Sequence, residues 1–358
     1  MALLTPTLSL LGDFFGAINP PVFPAATLIC ARDVRGMNDH EGAMANCCAD
    51  CGVEGGASLK TCKSCMQVKY CNAECQMNHW AMHKKACKQR AAELRDEALF
   101  KDPPPKEDCP ICFLPMPTTL ISCVSLPNAT ISSVPICDFA EANEEFNDKE
   151  MEEYYPCCGK TICRGCVHSF FESGNDDKCP FCNSDRTGKT DEEDVNDMMK
   201  RVEANDAASI YLLAGSYYQG LHGLQRDEER AMELLTRAAD LGCSDAHHNM
   251  AVFYHEGGDL KKTKFHWEAA AMAGHEGARN NLGVIEAESG NMERAVKHWK
   301  IAASAGHCKA MFQLRSCFER GLVSRDTIDS TLEAYNDSCA EMRSKDRDAY
   351  IRTIIERI

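Results

Sequence analysis

From residue 205 onward, small apolar residues and glycines return at a fixed interval. The segments Ala238-Ala239-Asp240-Leu241-Gly242, Ala270-Ala271-Met272-Ala273-Gly274 and Ala302-Ala303-Ser304-Ala305-Gly306 are spaced 32 residues apart. Trp267 and Trp299 share an offset, with Leu235 in the equivalent earlier place. Ala246, Ala278 and Ala310 keep the period, as do Ala251 and Gly283, while Arg315 breaks the small-residue rule one unit later. This pattern predicts two short helices per unit joined by a tight turn, with a longer turn over 220–227 in the first unit. Small residues let neighbouring helices approach, and Trp or Leu fills the space between layers. A left-handed glycine after Ala-Ala then stops the second helix. The expected result is a solenoid over 205–308, with a degenerate repeat and capping helices over 309–358.

The stretches Leu213-Ala214-x-x-Tyr217-x-x-Gly220 and Met250-Ala251-x-x-Tyr254-x-x-Gly257, with the Ala-Ala-x-x-Gly endings, resemble Sel1-like repeats, relatives of the tetratricopeptide family. Such a solenoid carries a peptide on its concave face or serves as a spacer that holds other modules; the repeat itself leaves both open.

The remaining chain has weaker periodicity. Residues 1–45 are Pro- and Ala-rich and read as a disordered or weakly ordered arm. Met1 to Leu11 is apolar, but no basic segment precedes it, Asp13 interrupts it and Pro20, Pro21 and Pro24 follow. A secretory signal therefore fits poorly, and an organelle-targeting segment is the alternative. Gln89 to Phe100 reads as a short helix, ended by Pro103, Pro104 and Pro105, so that 91–106 forms a helix and linker. Thr190 to Asp194 is acidic and reads as part of a solvated linker over 187–204. No apolar run approaches the length of a membrane span, so no membrane partner is expected.

Cysteine usage changes the picture. Of 23 cysteines in 358 residues, 18 lie between Cys47 and Cys182. They come as C-x-x-C pairs interleaved with His, the spacing of zinc sites rather than of a secreted disulfide scaffold. A reducing, intracellular location follows, cytoplasmic and/or nuclear. The net charge of −15, from 39 basic and 54 acidic residues, repels phosphate backbones, so no nucleic-acid partner is expected.

Over 46–90 the spacing is C-x2-C-x10-C-x2-C-x5-C-x3-C-x7-H-x3-C. The positions are Cys48, Cys51, Cys62, Cys65, Cys71, Cys75, His83 and Cys87. Eight soft ligands suit two closed, structural zinc ions. His79 is a rival to His83, but a helical step of four puts His83 and Cys87 on one face. Cys47 reads as a spare. With Tyr70-Cys71, Cys75-Gln76 and Trp80-x-x-His83-Lys84-x-x-Cys87, the segment resembles a MYND zinc finger. The resemblance implies interleaved sites: Cys48, Cys51, Cys71 and Cys75 on one zinc, and Cys62, Cys65, His83 and Cys87 on the other. It also implies binding of short proline-containing peptides. Nothing in the rest of the chain can host the SET methyltransferase domain in which such fingers also occur.

Over 107–186 the clear pairs are Cys109 and Cys112, Cys163 and Cys166, and Cys179 and Cys182. Pro156-Cys157-Cys158-Gly159-Lys160-Thr161-Ile162 stands before the middle pair, after a long, partly acidic insertion. The pattern resembles a variant RING-type finger, whose cross-brace puts first and third ligand pairs on one zinc. Aligned on Cys163, the third ligand is Cys158, and the fourth falls on Lys160, a poor ligand because it is normally protonated. Cys157 is the favoured replacement and His168 its rival; Cys123 and Cys137 are distant fallbacks. One or two zinc ions are expected. RING ligases have no nucleophile of their own: they hold a ubiquitin-charged E2 enzyme. The resemblance gives Ile111 and Pro180 as E2 contacts, with Asn183 where an arginine often steadies donor ubiquitin.

The expected fold is multi-domain α+β: two small zinc cross-brace domains followed by an all-α Sel1-like solenoid. The expected function is a zinc-binding, intracellular protein-interaction adaptor that acts as a RING-type E3 ubiquitin-protein ligase, recruiting an E2 and a target. The alternative is a non-catalytic scaffold or transcriptional cofactor that uses the three modules for protein binding only.

Overall fold

The computed structural model describes residues 47–55, 58–117 and 151–356. The chain divides into two compact units, Met1–Leu94 and Arg95–Ile358. The arm expected over 1–45, the fallback ligands Cys123 and Cys137, and most of the acidic insertion lie outside the described residues.

In the first unit, β1 (Lys60–Thr61) pairs antiparallel with β2 (Lys69–Tyr70), Lys60 opposite Tyr70. Helix α1 (Ala73–Leu99) follows at once. Its start is fixed by Asn72, whose side-chain oxygen accepts from the Cys75 N–H at 2.9 Å. The short helix expected over Gln89–Phe100 is the C-terminal part of this single 27-residue helix. No proline or glycine lies between Ala73 and Leu99 to break it. The buried centre of the unit is Cys48, Cys62, Cys65, Tyr70 and Cys87. Small polarisable thiols make up most of it, too little apolar volume to hold a domain of this size without help.

The second unit opens with the last turn of α1, where Leu99 is buried against Ala251, Trp267 and Leu282. The buried Arg279 donates to the Leu99 carbonyl at 2.8 Å and the Ala271 carbonyl at 2.6 Å, capping two helix ends at once. Next comes a hairpin, β3 (Glu152–Tyr155) against β4 (Lys160–Cys163), with Tyr155 opposite Lys160. Helix α2 (Arg164–Glu172) continues directly from it.

The acidic stretch expected as a linker is instead the start of α3 (Asp191–Glu203). Thr190 and Glu193 form a reciprocal capping box, and the acidic first turn suits the helix dipole. Val195 and Met198 then bury into the first solenoid layer beside Ile210 and Leu234. Asp191, Glu192 and Glu193 are exposed, while Val195 and Met198 anchor the segment.

The solenoid follows as α4 (Ala207–Gln219), α5 (Glu228–Asp240), α6 (Ser244–Glu256), α7 (Leu260–Met272), α8 (Glu276–Glu288) and α9 (Met292–Ser304). Each of the six is 13 residues long, so that two helices and two short turns fill the 32-residue period. Gly274 and Gly306 end α7 and α9 at φ 99° and 93°, as the repeat pattern predicts. Trp267 and Trp299 are buried between layers.

After α10 (Cys308–Glu319) and α11 (Arg325–Glu341), the chain does not simply close the stack. Its last helix, α12 (Lys345–Ile355), packs on α2 of the cysteine-rich segment. Gly165 permits this contact: a Cβ there would lie 2.6 Å from the Arg347 backbone nitrogen.

Candidate metal centres and interaction surfaces

The side chains of sixteen residues converge into four groups, each with its ligand atoms within 4.8 Å of one another. In the first unit the groups are Cys48, Cys51, Cys71 and Cys75, and Cys62, Cys65, His83 and Cys87. In the second they are Cys109, Cys112, Cys163 and Cys166, and Cys157, Cys158, Cys179 and Cys182. Both sets interleave along the chain, so each group ties distant segments together.

The spacing within the groups tests whether a metal fits. Zinc–thiolate bonds of about 2.3 Å give a tetrahedron with edges of about 3.8 Å. Observed sulfur–sulfur separations are 3.5 Å for Cys51–Cys71, 3.8 Å for Cys62–Cys87 and 3.9 Å for Cys109–Cys166. They are 3.8 Å for Cys112–Cys163, 3.8 Å for Cys158–Cys179 and 3.6 Å for Cys157–Cys182. Disulfides would need about 2.05 Å. The His83 Nε2 atom faces the Cys65 sulfur at 3.4 Å. The donor sets therefore fit tetrahedral zinc.

Electrostatics support the same conclusion. Burial opposes the Cys48 thiolate, but N–H donors of Cys51, Asp50 and Cys71 outweigh it and bring the thiol to about 6. Burial likewise opposes ionisation of Cys62, yet donors from Cys65, His83 and Ser64 bring it to about 6. Their neighbours move the other way. Hydrogen bonding to Cys51 and burial push Cys71 up to about 11, and burial with the Cys62 and Cys65 sulfurs pushes Cys87 up to about 12. In the third group Cys109 is lowered by bonds from Cys163 and Cys166, and Cys166 is raised by its contacts with Cys109 and Cys163. Four crowded thiols cannot all ionise by themselves; a divalent cation among them removes the conflict.

One backbone turn recurs at four C-x-x-C pairs, those that begin at Cys48, Cys62, Cys109 and Cys179. The N–H of the residue after the second cysteine donates to the carbonyl of the first, at 2.9 Å for Gly52 to Cys48 and Met66 to Cys62. The same bond is 2.8 Å for Phe113 to Cys109 and 2.9 Å for Asn183 to Cys179. All four donors have positive φ, from 55° at Met66 to 72° at Gly52. At Cys48 and Cys62 the turn directs two backbone N–H groups at the first sulfur, from Asp50 and Cys51 and from Ser64 and Cys65. Sequence reasoning missed it because the left-handed residue is Gly or Asn in two cases and Met or Phe in the others. For Asn183 the turn supplies a structural reason for the residue, since Asn tolerates this conformation.

The ambiguous positions are now placed. Cys157 sits with Cys158, Cys179 and Cys182, whereas His168 lies outside the group, its Nε2 4.0 Å from Glu172. The adjacent cysteines reach one centre from the β3–β4 turn, in which Gly159 takes φ 67°. Lys160 is exposed, its ammonium 5.7 Å from the Phe181 ring centroid. His83, not His79, joins the second group; His79 is bonded to the Tyr70 hydroxyl at 3.0 Å. Cys47 belongs to no group among the described residues and bridges to Glu54 instead.

Ile111 and Pro180 are half-buried, and Ile111 packs on the finger core of Tyr155, Ile162 and Val167. Asn183, Phe113 and Phe181 are exposed. On α1 the exposed Met77 and Trp80 lie one turn apart.

His247 and His248 are half-buried. His247 faces His266 at 3.0 Å between Nδ1 atoms, and His248 stacks on His275 at 4.3 Å. The solenoid borders a cavity of about 430 Å³, with His248, His275 and His307 among its lining. The linker residues Pro104, Pro105 and Lys106 line it too. Lys106 is pinned there by Glu276 at 3.0 Å and the Ala305 carbonyl at 2.8 Å.

Comparison with known families agrees with two of the three modules. The MYND finger model matches residues 48–87, and the Sel1 repeat model matches residues 207–243, 244–275 and 278–307. The chain carries a zinc-binding MYND finger and a Sel1-repeat solenoid. Both are protein-interaction modules. A search of curated proteins gave no match. Among solved structures, c5321, a protective antigen of uropathogenic Escherichia coli strains with an SLR fold, is 21% identical, with TM-score 0.34. That match covers 53% of this chain and 44% of the antigen, so the chain spans less than half of its length. A Sel1 repeat protein from Oxalobacter formigenes is 21% identical, with TM-score 0.38, covering 53% of this chain and 74% of that one. In the described residues, no helix is long and apolar enough to cross a membrane.

Proposed function

We propose that the chain is a zinc-stabilised protein-interaction adaptor with four structural zinc ions, two per finger. The observation that carries this reading is the closure of all four ligand groups. Four protein ligands leave no coordination position for water or substrate, so the metal shapes the chain rather than reacting. Each zinc would fix two distant loops, and each closed thiolate set would be deprotonated by the ion it holds.

The MYND finger is the peptide-binding arm in this reading. Met77 and Trp80 on α1 offer apolar surface against which proline rings of a short peptide stack. The Sel1 solenoid positions the second finger. Because Lys106 and its prolines already line the solenoid cavity, a peptide bound there would have to displace them. The test is binding of a proline-containing peptide library to the full chain. Trp80→Ala should abolish binding while retaining zinc, and Cys65→Ser should lose both. Binding that survives Trp80→Ala would refute this assignment.

The finer reading is a RING-type E3 ligase. What supports it is the pairing of Cys109 and Cys112 with Cys163 and Cys166 across the second pair, the order of a RING cross-brace. Ile111 and Pro180 on the two zinc knuckles would contact the E2. An autoubiquitination assay with a panel of E2 enzymes decides, with total zinc counted on the same sample. E2-dependent chains that vanish in Ile111→Ala establish transfer. Four zincs without chains establish the adaptor without transfer chemistry.

A further inference from the structure

We propose that the two ends of the solenoid hold the zinc centres of the second finger from outside, through Arg347 at one end and Arg201 at the other. This rests on the reading that the second finger binds zinc. Arg347 lies in the first turn of α12, 184 residues beyond Cys163, yet its Nε donates to the Cys163 sulfur at 3.3 Å. Its Nη2 donates to the Cys112 sulfur at 3.4 Å. The remaining donors reach the carbonyls of Pro115 at 2.7 Å, Met342 at 2.6 Å and Leu114 at 3.3 Å. The side chain is 1% exposed.

A guanidinium is expensive to bury unless its donors meet acceptors and its charge meets an anion. Carbonyls satisfy the first need. The second is met by the metal centre itself, because a zinc ion with four thiolates carries two surplus negative charges. Arg347 touches two of those four sulfurs. Its fork also holds the Leu114 and Pro115 carbonyls, which follow the Cys109–Cys112 knuckle. The guanidinium thus fixes the loop and offsets the charge together, the task that outer ligands perform at metal sites.

The docking is built in at backbone level. Gly165 leaves no room for a Cβ, which would meet Arg347 Cγ and N at 2.6 Å. Ser344 caps α12 by accepting from the Arg347 N–H at 3.2 Å. Met151 and Ile351 are buried together beside Tyr350. At the opposite end, Arg201 of α3 donates through Nε to the Pro156 carbonyl and through Nη2 to the Cys157 carbonyl, each at 3.0 Å. The Tyr154 hydroxyl reaches Asp206, the cap of α4, at 2.8 Å. The first centre is therefore braced by α12 and the second by α3.

The experiment uses the zinc-loaded full chain challenged with excess EDTA. Pulses of N-ethylmaleimide and peptide mass mapping record the order in which cysteines become reactive. In Arg347→Met, Cys109, Cys112, Cys163 and Cys166 should be labelled about 10–100-fold sooner than in wild type, with the MYND cysteines unchanged. Arg347→Lys should keep the charge without the fork and fall between. Gly165→Ala keeps every ligand and the arginine but pushes α12 away, and should reproduce Arg347→Met. Arg201→Met should instead advance Cys157, Cys158, Cys179 and Cys182. Wild-type order and rate in variants that hold four zincs overturn the inference alone. A wild-type chain with two zincs overturns the zinc reading of the second finger and this inference with it. Should Arg347→Met not fold, Arg347→Lys and Gly165→Ala decide, and wild-type labelling in both overturns it.

Discussion

Replacing Gly283 by alanine adds one methyl, and the structure says where it goes. A Cβ on Gly283 would lie 2.4 Å from Nε1, 2.6 Å from Cδ1 and 2.9 Å from Cε2 of Trp299. Carbon atoms in contact prefer about 3.5–4.0 Å, so the indole must retreat by about an ångström. It has little freedom to do so: Trp299 is buried, and its Nε1 donates to the Asn280 carbonyl at 3.3 Å. Overpacking of this kind costs about 1–3 kcal/mol, and loosening the indole bond adds about 1 kcal/mol. Alanine regains about 1 kcal/mol of helix propensity. The net expectation is a loss of about 2 kcal/mol.

The preceding repeat shows what the methyl does. Ala251 holds the place of Gly283 there, and the Nε1 of its Trp267 has no hydrogen-bond partner among the described residues. Gly215 supplies the control, since nothing lies within 4 Å of a Cβ built on it. Gly215→Ala should therefore stabilise by about 1 kcal/mol through helix propensity alone. The assay is urea unfolding of both variants at saturating zinc, read by far-ultraviolet circular dichroism. Midpoints and slopes are compared, because more than one unit unfolds. If Gly283→Ala proved as stable as Gly215→Ala, the indole would not set the interlayer spacing.

Chelation should unfold the MYND finger outright, since its centre is mostly ligand thiols; Cys65→Ser should release one zinc per chain, counted by mass spectrometry. Asn183→Val forces a β-branched residue into the left-handed turn after Cys182, at a cost of about 1–2 kcal/mol, and should speed zinc loss from that centre under chelator. Burial, with Arg279 and Arg294 nearby, holds His298 near 3, and burial with Lys309, His275 and Lys106 holds His307 near 3. Both stay neutral when folded while the unfolded chain takes up protons below about 6.5, so stability is full above that pH and falls towards 3. Each histidine should cost about 2 kcal/mol at pH 5, and His298→Phe should remove its share; an unchanged melting difference between pH 7.5 and pH 5 would count against the burial argument.

The solenoid was legible because one physical requirement repeats. Close helix approach needs Ala or Gly at the same register in each layer, and the 32-residue interval of Ala246, Ala278 and Ala310 shows it directly. The metal groups were legible for a similar reason: ligand chemistry restricts each position to Cys or His. The acidic segment after the second finger was misjudged because net charge hid its few apolar anchors, Val195 and Met198. Charge describes the face turned to water and says little about the opposite one. Arg347 was illegible for another reason. Its partners are up to 235 residues away, and a single arginine in a charged C-terminal helix carries no local signal of burial. Contacts made once, between distant elements, leave no period to detect.

The two fingers therefore differ in what holds them. In the MYND finger the buried set is four cysteines, Tyr70 and the ligand His83, so metal and fold are nearly one event. The second finger adds Tyr155, Ile162 and Val167 to its buried thiols and has helices α3 and α12 packed beside it. Part of its stability comes from apolar burial and from Arg201, whose bonds to the Pro156 and Cys157 carbonyls do not need the metal. Chelation should accordingly erase the first finger while leaving the second partly ordered against the solenoid. Hydrogen exchange would separate the cases: protection of β3 and β4 should persist, reduced, in EDTA, whereas β1 and β2 should exchange at unfolded rates. Equal loss in both hairpins would mean that the solenoid contacts follow the zinc rather than support it.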